Sequence, residues 1–286
     1  MSAPSTAFVQ QYKDTITLLA QQMDARLRPC VMVDTNFKGE KKFYDQYASD
    51  SMVEITSRLQ DTPVQDADHR RRMVTPRYFV SNTLEDPAEA LQMLVDPKST
   101  YMQAKAAAAA RKTDKIIIDA LEGTAYAGKT GTTSTALPSA QKITAGGTAL
   151  TKAKVLRAKR IMDAAEIDPE DRFFSYTAVQ LEDLLSLTEV TSQDYNTVKA
   201  LVEGALNGTW VGFKWVHSEQ LTLSSTTRYC LAWQKKGLQL AVQKEAEGRL
   251  DERKDKNYAW QVYMRIALGA VRLEEERVVQ IACVES

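Results

Sequence analysis

An α+β fold is predicted from three stretches of this chain: a long alanine-rich helical run, an aromatic segment that leads into helical spacing, and late segments in which apolar and polar residues alternate. Residues 97–122 begin at Pro97, which follows the capping residue Asp96, and they end before Gly123. Ala106 to Ala110 supply strong helix formers in the middle, and Met102, Ala106, Ala109, Thr113, Ile116 and Ala120 recur three or four residues apart. Such a helix is about 39 Å long at about 1.5 Å per residue. Phe173 to Thr177 is short and β-favouring, and Leu181, Leu184, Leu185 and Thr188 then fall at helical spacing.

Taken in order, Ala7 to Arg28 predicts a helix with Val9, Tyr12, Ile16, Leu19 and Met23 on one stripe. That stripe needs the body or another subunit to cover it, so the segment reads as an arm. Asn36 to Arg77 is polar, with Gly39, Pro63 and two basic runs, Lys38 to Lys42 and His69 to Arg72. Such a length is unusual for a plain loop and predicts an extended hairpin or a binding excursion. Asp86-Pro87 opens a first helix and Asp96-Pro97 the long one. Leu150 to Glu166 predicts another helix, with Val155, Ala158, Met162 and Ala165 inward and Lys152, Lys154, Arg157, Lys159 and Arg160 outward. That basic face reads as solvated, because no aromatic platform for nucleic acid accompanies it.

Asp168-Pro169 ends this helix, since proline disfavours helical geometry in the residue before it. Tyr195 to Leu206 carries a further helical pattern. Asn207-Gly208 is expected to turn the chain into a strand over Trp210 to Val216. Tyr229 to Trp233 and Leu238 to Val242 read as strands around Lys235-Lys236-Gly237, and Lys244 to Lys256 as charged and exposed. Ala259 to Leu268 and Val278 to Cys283 predict a hairpin with Gly269 at or near its turn.

Gly123 to Gly147 reads as a loop, and within it Gly123-Thr124-Ala125-Tyr126-Ala127-Gly128-Lys129-Thr130 satisfies the pattern of a phosphate-binding loop. The chemistry needs a strand before the glycines and a helix starting at the lysine, so that backbone amides face the phosphate. Here a long helix precedes, and Gly131 to Pro138 is ill suited to start one. Asp119, the apparent acidic partner, also lies before the loop.

The chain has 286 residues, enough for one large or two smaller domains. Lys plus Arg and Asp plus Glu each number 37, which gives no overall electrostatic drive towards nucleic acid, membrane or an acidic partner. A tight nonspecific DNA binder is thereby disfavoured. Cys30, Cys230 and Cys283 are odd in number and far apart, so neither a disulfide framework nor a zinc site is implied. His69 and His217 are the only histidines, and His217, at a strand end, reads as structural or surface. No secretory leader or spanning run is recognised, and the chain is expected to stay in the cytoplasm where it is made.

The order Asp168-Pro169-Glu170-Asp171-Arg172, aromatic strand, helices, Gly208-Thr209-Trp210-Val211-Gly212-Phe213 strand and Glu219-Gln220-Leu221 resembles the major capsid proteins of tailed bacteriophages, of the Hong Kong 97 type. The resemblance implies an N-terminal arm over 1–35, an extended loop over 36–80, and a peripheral domain over 81–123 with a spine helix. It further implies an axial domain over 124–245 and a return to the peripheral sheet over 246–286. It implies a structural function with no cofactor, catalytic residue or metal: many copies as hexamers and pentamers of an icosahedral shell. Its partners would be other copies, a scaffolding protein, a portal protein, a decoration protein in some systems, and packaged double-stranded DNA held by weak nonspecific contact, with no membrane. A separate scaffolding protein is expected because no large N-terminal scaffolding segment is present, and no lysine and asparagine pair matches the covalent cross-link of some members. Arg70, Arg71 and Arg72 are the candidate inter-subunit contacts, since so concentrated a charge is not expected in a core. Two other classes stay open at this point: a nucleotide-binding protein using Lys129, and a monomeric α+β ligand-binding domain.

Overall fold

The computed structural model describes residues 21–35, 37–48, 50–62, 64, 68–85, 98–186 and 209–285. The expected helix before residue 21, both Asp-Pro helix starts, and the helix and turn over 195–208 lie outside them. Two compact units are present. One takes Tyr78–Lys112 and Lys244–Ala267 with the chain up to Asp24; the other takes Ala25–Arg77, Thr113–Gln243 and Leu268–Ser286.

Helix α1 spans Lys98–Glu122, as the alanine-rich run predicts. Its buried positions are Lys105, Ala107, Thr113, Asp114, Ile117, Ile118 and Leu121, whereas Ala106 is exposed. The inward face is therefore turned by about one residue from the predicted stripe. An alanine run carries little phase information, and two polar residues help set the face. Asp114 accepts hydrogen bonds from the backbone N–H groups of Arg26 and Leu27, both at 3.0 Å. Residues 21–27 are not helical, and only a single turn forms at Arg28–Cys30.

Four strands, β1 (Met32–Asp34), β4 (Arg77–Glu85), β13 (Leu238–Arg253) and β14 (Ala259–Arg272), form a sheet in the order β1-β13-β14-β4. The expected turn at Gly269 is absent: β14 runs straight through it. Gly269 is needed there for another reason, because a Cβ would lie 2.8 Å from the carbonyl oxygen of Thr75. Close backbone approach explains a glycine in mid-strand.

The second sheet is the main core of the larger unit. It comprises β7 (Lys142–Ile143), β15 (Val278–Val284), β12 (Thr227–Gln234), β8 (Arg172–Tyr176), β10 (Phe213–His217) and β9 (Thr209–Trp210) in that order, with β11 (Leu223–Ser224) beside β12. Strand β15 thus pairs with β12, from Thr227↔Val284 to Trp233↔Val278, and not with β14 as the alternation suggested. Every residue of β8 is buried. Phe174 meets Trp215 at 4.3 Å and Phe213 at 5.9 Å between ring centroids, and Trp215 meets Tyr176 at 5.6 Å. The expected single strand over Trp210 to Val216 is instead a tight hairpin, in which Val211 and Gly212 have φ of 55° and 81°. Positive φ at both central residues matches the strand twist, although valine seldom adopts it.

Helix α2 (Lys152–Ala164) is capped by the Thr151 hydroxyl and buries Val155, Ala158 and Met162. Ala165 is exposed, and Lys154 turns inward, contrary to the expected outward set. The Lys154 amine donates to the carbonyl oxygens of Thr148, Ala149 and Ala282 at 2.7, 2.9 and 2.9 Å. Those three acceptors satisfy all three ammonium protons, which makes its burial tolerable. The Asp168–Arg172 turn closes similarly. The Arg172 guanidinium, itself buried, donates to the carbonyls of Ile167 and Asp168 and to Asp163. Helix α3 (Ala178–Ser186) follows at once and buries Leu184.

A third sheet joins β2 (Lys42–Tyr47), β3 (His69–Val74), β5 (Ala125–Ala127) and β6 (Thr133–Thr135) in that order. Segment 36–77 is thus a long hairpin, and Gly123 to Gly147 contains a hairpin in place of the expected loop.

Candidate inter-subunit surface

Strands β2 and β3 pair from Lys42↔Val74 to Tyr47↔His69. Beyond them the chain makes an excursion in which Met52, Val53, Ile55, Leu59 and Val64 are all exposed. A turn organises part of it: the Gln60 side-chain oxygen accepts from the Thr56 backbone N–H at 3.2 Å, and Leu59 has φ of 66°. Within one chain this apolar surface has no cover among the described residues. Tyr47 stacks edge-on against His69 at 5.0 Å, which stiffens the neck of the excursion.

The three candidate arginines part company along β3. Arg70 is exposed and pairs with Asp68 at 3.4 Å; Arg71 is half-buried and pairs across the hairpin with Asp45 at 2.5 Å. That hydrogen bond holds the Asp45 carboxyl below its usual range. Arg72 is buried, which corrects the expectation for it. Its guanidinium donates to Glu275 at 2.6 Å and to the carbonyl of Leu273 at 3.0 Å. Strand alternation puts Arg70 and Arg72 on the same face, so register alone does not separate them. Arg72 is covered because it lies nearer the sheet, where β5 pairs with it through Ala127.

Beneath Arg72 lies a residue that the sequence reading missed. Arg272 is fully buried and donates to the carbonyls of Leu121 and Gly123, both at 2.8 Å, and of Thr135 at 3.1 Å. Its Nε lies 3.5 Å from Glu275 in an ion pair that lacks hydrogen-bond geometry. Arg72, Arg272 and Glu275 thereby fasten the extended hairpin and the β5–β6 hairpin to the end of α1. An arginine at the end of an apolar strand gave no sequence signal of this.

The phosphate-loop pattern does not form a phosphate site. Helix α1 precedes it, strand β5 occupies its middle, and Gly128-Lys129 forms an exposed hairpin turn in which Gly131 N–H bonds the Gly128 carbonyl at 3.1 Å. No helix N-terminus follows Lys129. His217 is held between Arg26 at 2.7 Å and Glu219 at 2.8 Å, a linking arrangement with no nucleophile in it. Cys30, Cys230 and Cys283 are buried and free, and burial pushes the Cys30 thiol up to about 11, which keeps it unreactive. Among the described residues no group of three His, Cys, Asp or Glu could hold a metal ion, and no helix is long and apolar enough to cross a membrane.

The long helix, the several sheets and the extended hairpin with its uncovered apolar surface are those of a shell-building protein with the Hong Kong 97-type fold. The phage capsid protein family matches residues 5–285, and the chain belongs to that family. Among solved structures, the capsid of cyanophage P-SCSP1u is similar at 15% identity and a TM-score of 0.76, over 98% of this chain and 94% of that one. A structure from Mycobacterium phage Che8 is similar at 16% identity and 0.74, over 98% of each chain. The capsid of cyanophage Pam1 is similar at 13% and 0.73, over 99% and 98%. No relative is found among curated protein sequences.

Proposed function

We propose that this chain is the major capsid protein of a tailed phage, whose copies tile as hexamers and pentamers into an icosahedral shell around double-stranded DNA. The observation that carries this reading is the extended hairpin, where five large apolar side chains between β2 and β3 are exposed. Soluble monomers seldom leave so much apolar surface together, and a repeated contact between copies would cover it. On this reading the arm takes 1–35, the extended loop 36–80, the spine-helix part of the peripheral domain 81–123, the axial domain 124–245, and the return to the peripheral sheet 246–286. A separate scaffolding protein and a portal would act during assembly in the host cytoplasm. The balanced charge supports only weak contact with the packaged DNA.

Arg70 and Arg71 are the arginines placed to meet an acidic surface of a neighbouring copy; Arg72 is committed within its own chain. Replacing Arg70 and Arg71 with Glu is expected to leave the far-ultraviolet circular dichroism unchanged, because Arg70 is exposed and Arg71 only half-buried at the hairpin surface. Assembly should fail, since like charge opposes docking at every copy of the contact. Sedimentation velocity and negative-stain microscopy under conditions where the parent forms shells provide the measurement. Normal yields of parent-sized particles would remove these arginines from the interface, and a parent chain that forms no ring or shell even when co-expressed with its scaffolding protein would sink the shell reading itself.

A further inference from the structure

The smaller unit contains a cleft between α1 and strands β4 and β14, lined by Phe79, Val80, Ala108, Met264 and Ile266 with Lys105 and Lys112 among them. Its volume is about 270 Å³. That is below the roughly 300–1,000 Å³ of small-molecule and cofactor sites, and it suits a few side chains better.

The charge of the cleft is not balanced from within. Lys105 is only 6% exposed, yet among the described residues its amine donates only to two neutral hydroxyls, Ser81 at 3.1 Å and Thr83 at 2.7 Å. An ammonium has three protons to donate, so one is left for a visitor. Burial pushes the Lys105 pKa down, as expected where no carboxylate offsets the desolvation. The Lys112 amine sits 4.4 Å over the Phe79 ring, again without an acidic partner among the described residues. Arg265, by contrast, is paired with Glu247 at 2.8 Å, a carboxylate it shares with Lys244 and Arg249. The cleft thus presents two uncompensated cations on an apolar floor. It calls for a carboxylate flanked by apolar groups.

The same chain exposes such a group. Val53-Glu54-Ile55, with Met52 before it, lies in the extended hairpin with every side chain in solvent. Glu54 makes no hydrogen bond or ion pair among the described residues. We propose that the Val53-Glu54-Ile55 segment of one copy seats in this cleft of a second copy, with the Glu54 carboxylate between Lys105 and Lys112 and the two aliphatic side chains on the apolar floor. The proposal rests on the shell-building reading and names a contact for it. Pairing a buried lysine with a carboxylate across the interface turns a desolvation cost in the single chain into a reason to assemble.

A charge swap tests this in the full chain. Glu54→Lys and Lys112→Glu should each lower the assembled fraction by about 10-fold, and the double variant should recover most of it, as expected of groups in direct contact. Glu54 is exposed, so its variant should fold as the parent does; Lys112→Met, which keeps the stem over Phe79, serves if Lys112→Glu loses its circular dichroism signal. A synthetic peptide of residues 50–64, labelled for fluorescence anisotropy, should bind the full chain and lose that binding with lysine at position 54. Single variants that assemble like a parent that forms shells would overturn the contact and leave the shell reading standing. If the parent forms no shells even with its scaffolding protein, the shell reading falls, and peptide binding that ignores position 54 would then overturn the contact as well.

Discussion

Replacing Arg272 with methionine tests the buried clip at the end of α1. Methionine keeps much of the aliphatic stem, so the loss falls on the guanidinium. Three carbonyl oxygens lose a charged donor: Leu121, Gly123 and Thr135. Hydrogen bonds to charged groups contribute about 1.5–3 kcal/mol each, which would sum to about 5–9 kcal/mol if they were independent. They are not, since one group makes all three and its own burial is costly. Burial pushes the Arg272 pKa down, although arginine stays protonated at neutral pH. Breaking a buried pair costs about 3–5 kcal/mol, and the lower part of that range applies because Glu275 keeps Arg72 as a partner. The expected loss is therefore about 3 kcal/mol, read from the midpoint of urea unfolding at unchanged slope. A loss below about 1 kcal/mol would refute the reasoning, because it lies within the range of surface ion pairs.

Two further outcomes are expected. Glu285 accepts a bidentate pair from Arg228 at 2.7 and 3.0 Å, which holds its carboxyl below the ordinary value of 4.5. The carboxylate's contribution is complete above that ordinary value and is lost as pH falls through the depressed one, so Glu285→Gln should be less stable than the parent at pH 7 by about 1 kcal/mol. The two should converge in acid; urea melts at neutral pH and near pH 3 measure this, and a gap that widens in acid would contradict it. Lys129→Ala should leave both folding and calorimetric titration with ATP and magnesium unchanged, because a hairpin turn holds that lysine, and micromolar binding abolished by the substitution would refute it.

What the sequence made legible was local. The span of α1, the helix after Thr151, the aromatic strand after the Asp168–Arg172 turn and the excursion between β2 and β3 each follow from propensity, punctuation and capping. What it hid was decided by partners far along the chain. Arg72 is buried because Glu275 lies 203 residues away, and Lys154 because the Ala282 carbonyl lies 128 residues away. Strands β14 and β15 alternate alike, yet they join different sheets, and alternation carries no record of the partner. Val211-Gly212 was overlooked as a turn because Asn207-Gly208 has the better turn chemistry. The candidate interface was half legible: concentrated charge marked β3, but only the fold separates the arginine that is bound from the two that face outward.

Strand β15 lies between β12 and β7, inside the sheet, and far along the chain from β8 on the other side of β12. Without residues 278–284, β12 would have one side unpaired, and Cys230, Leu231, Ala232 and Trp233 would lack the strand that helps enclose them. A chain cut before Val278 would therefore present an open, apolar sheet edge of the kind that invites aggregation. Truncation before Val278 is thus expected to cost the second sheet its closure and not merely a terminal segment.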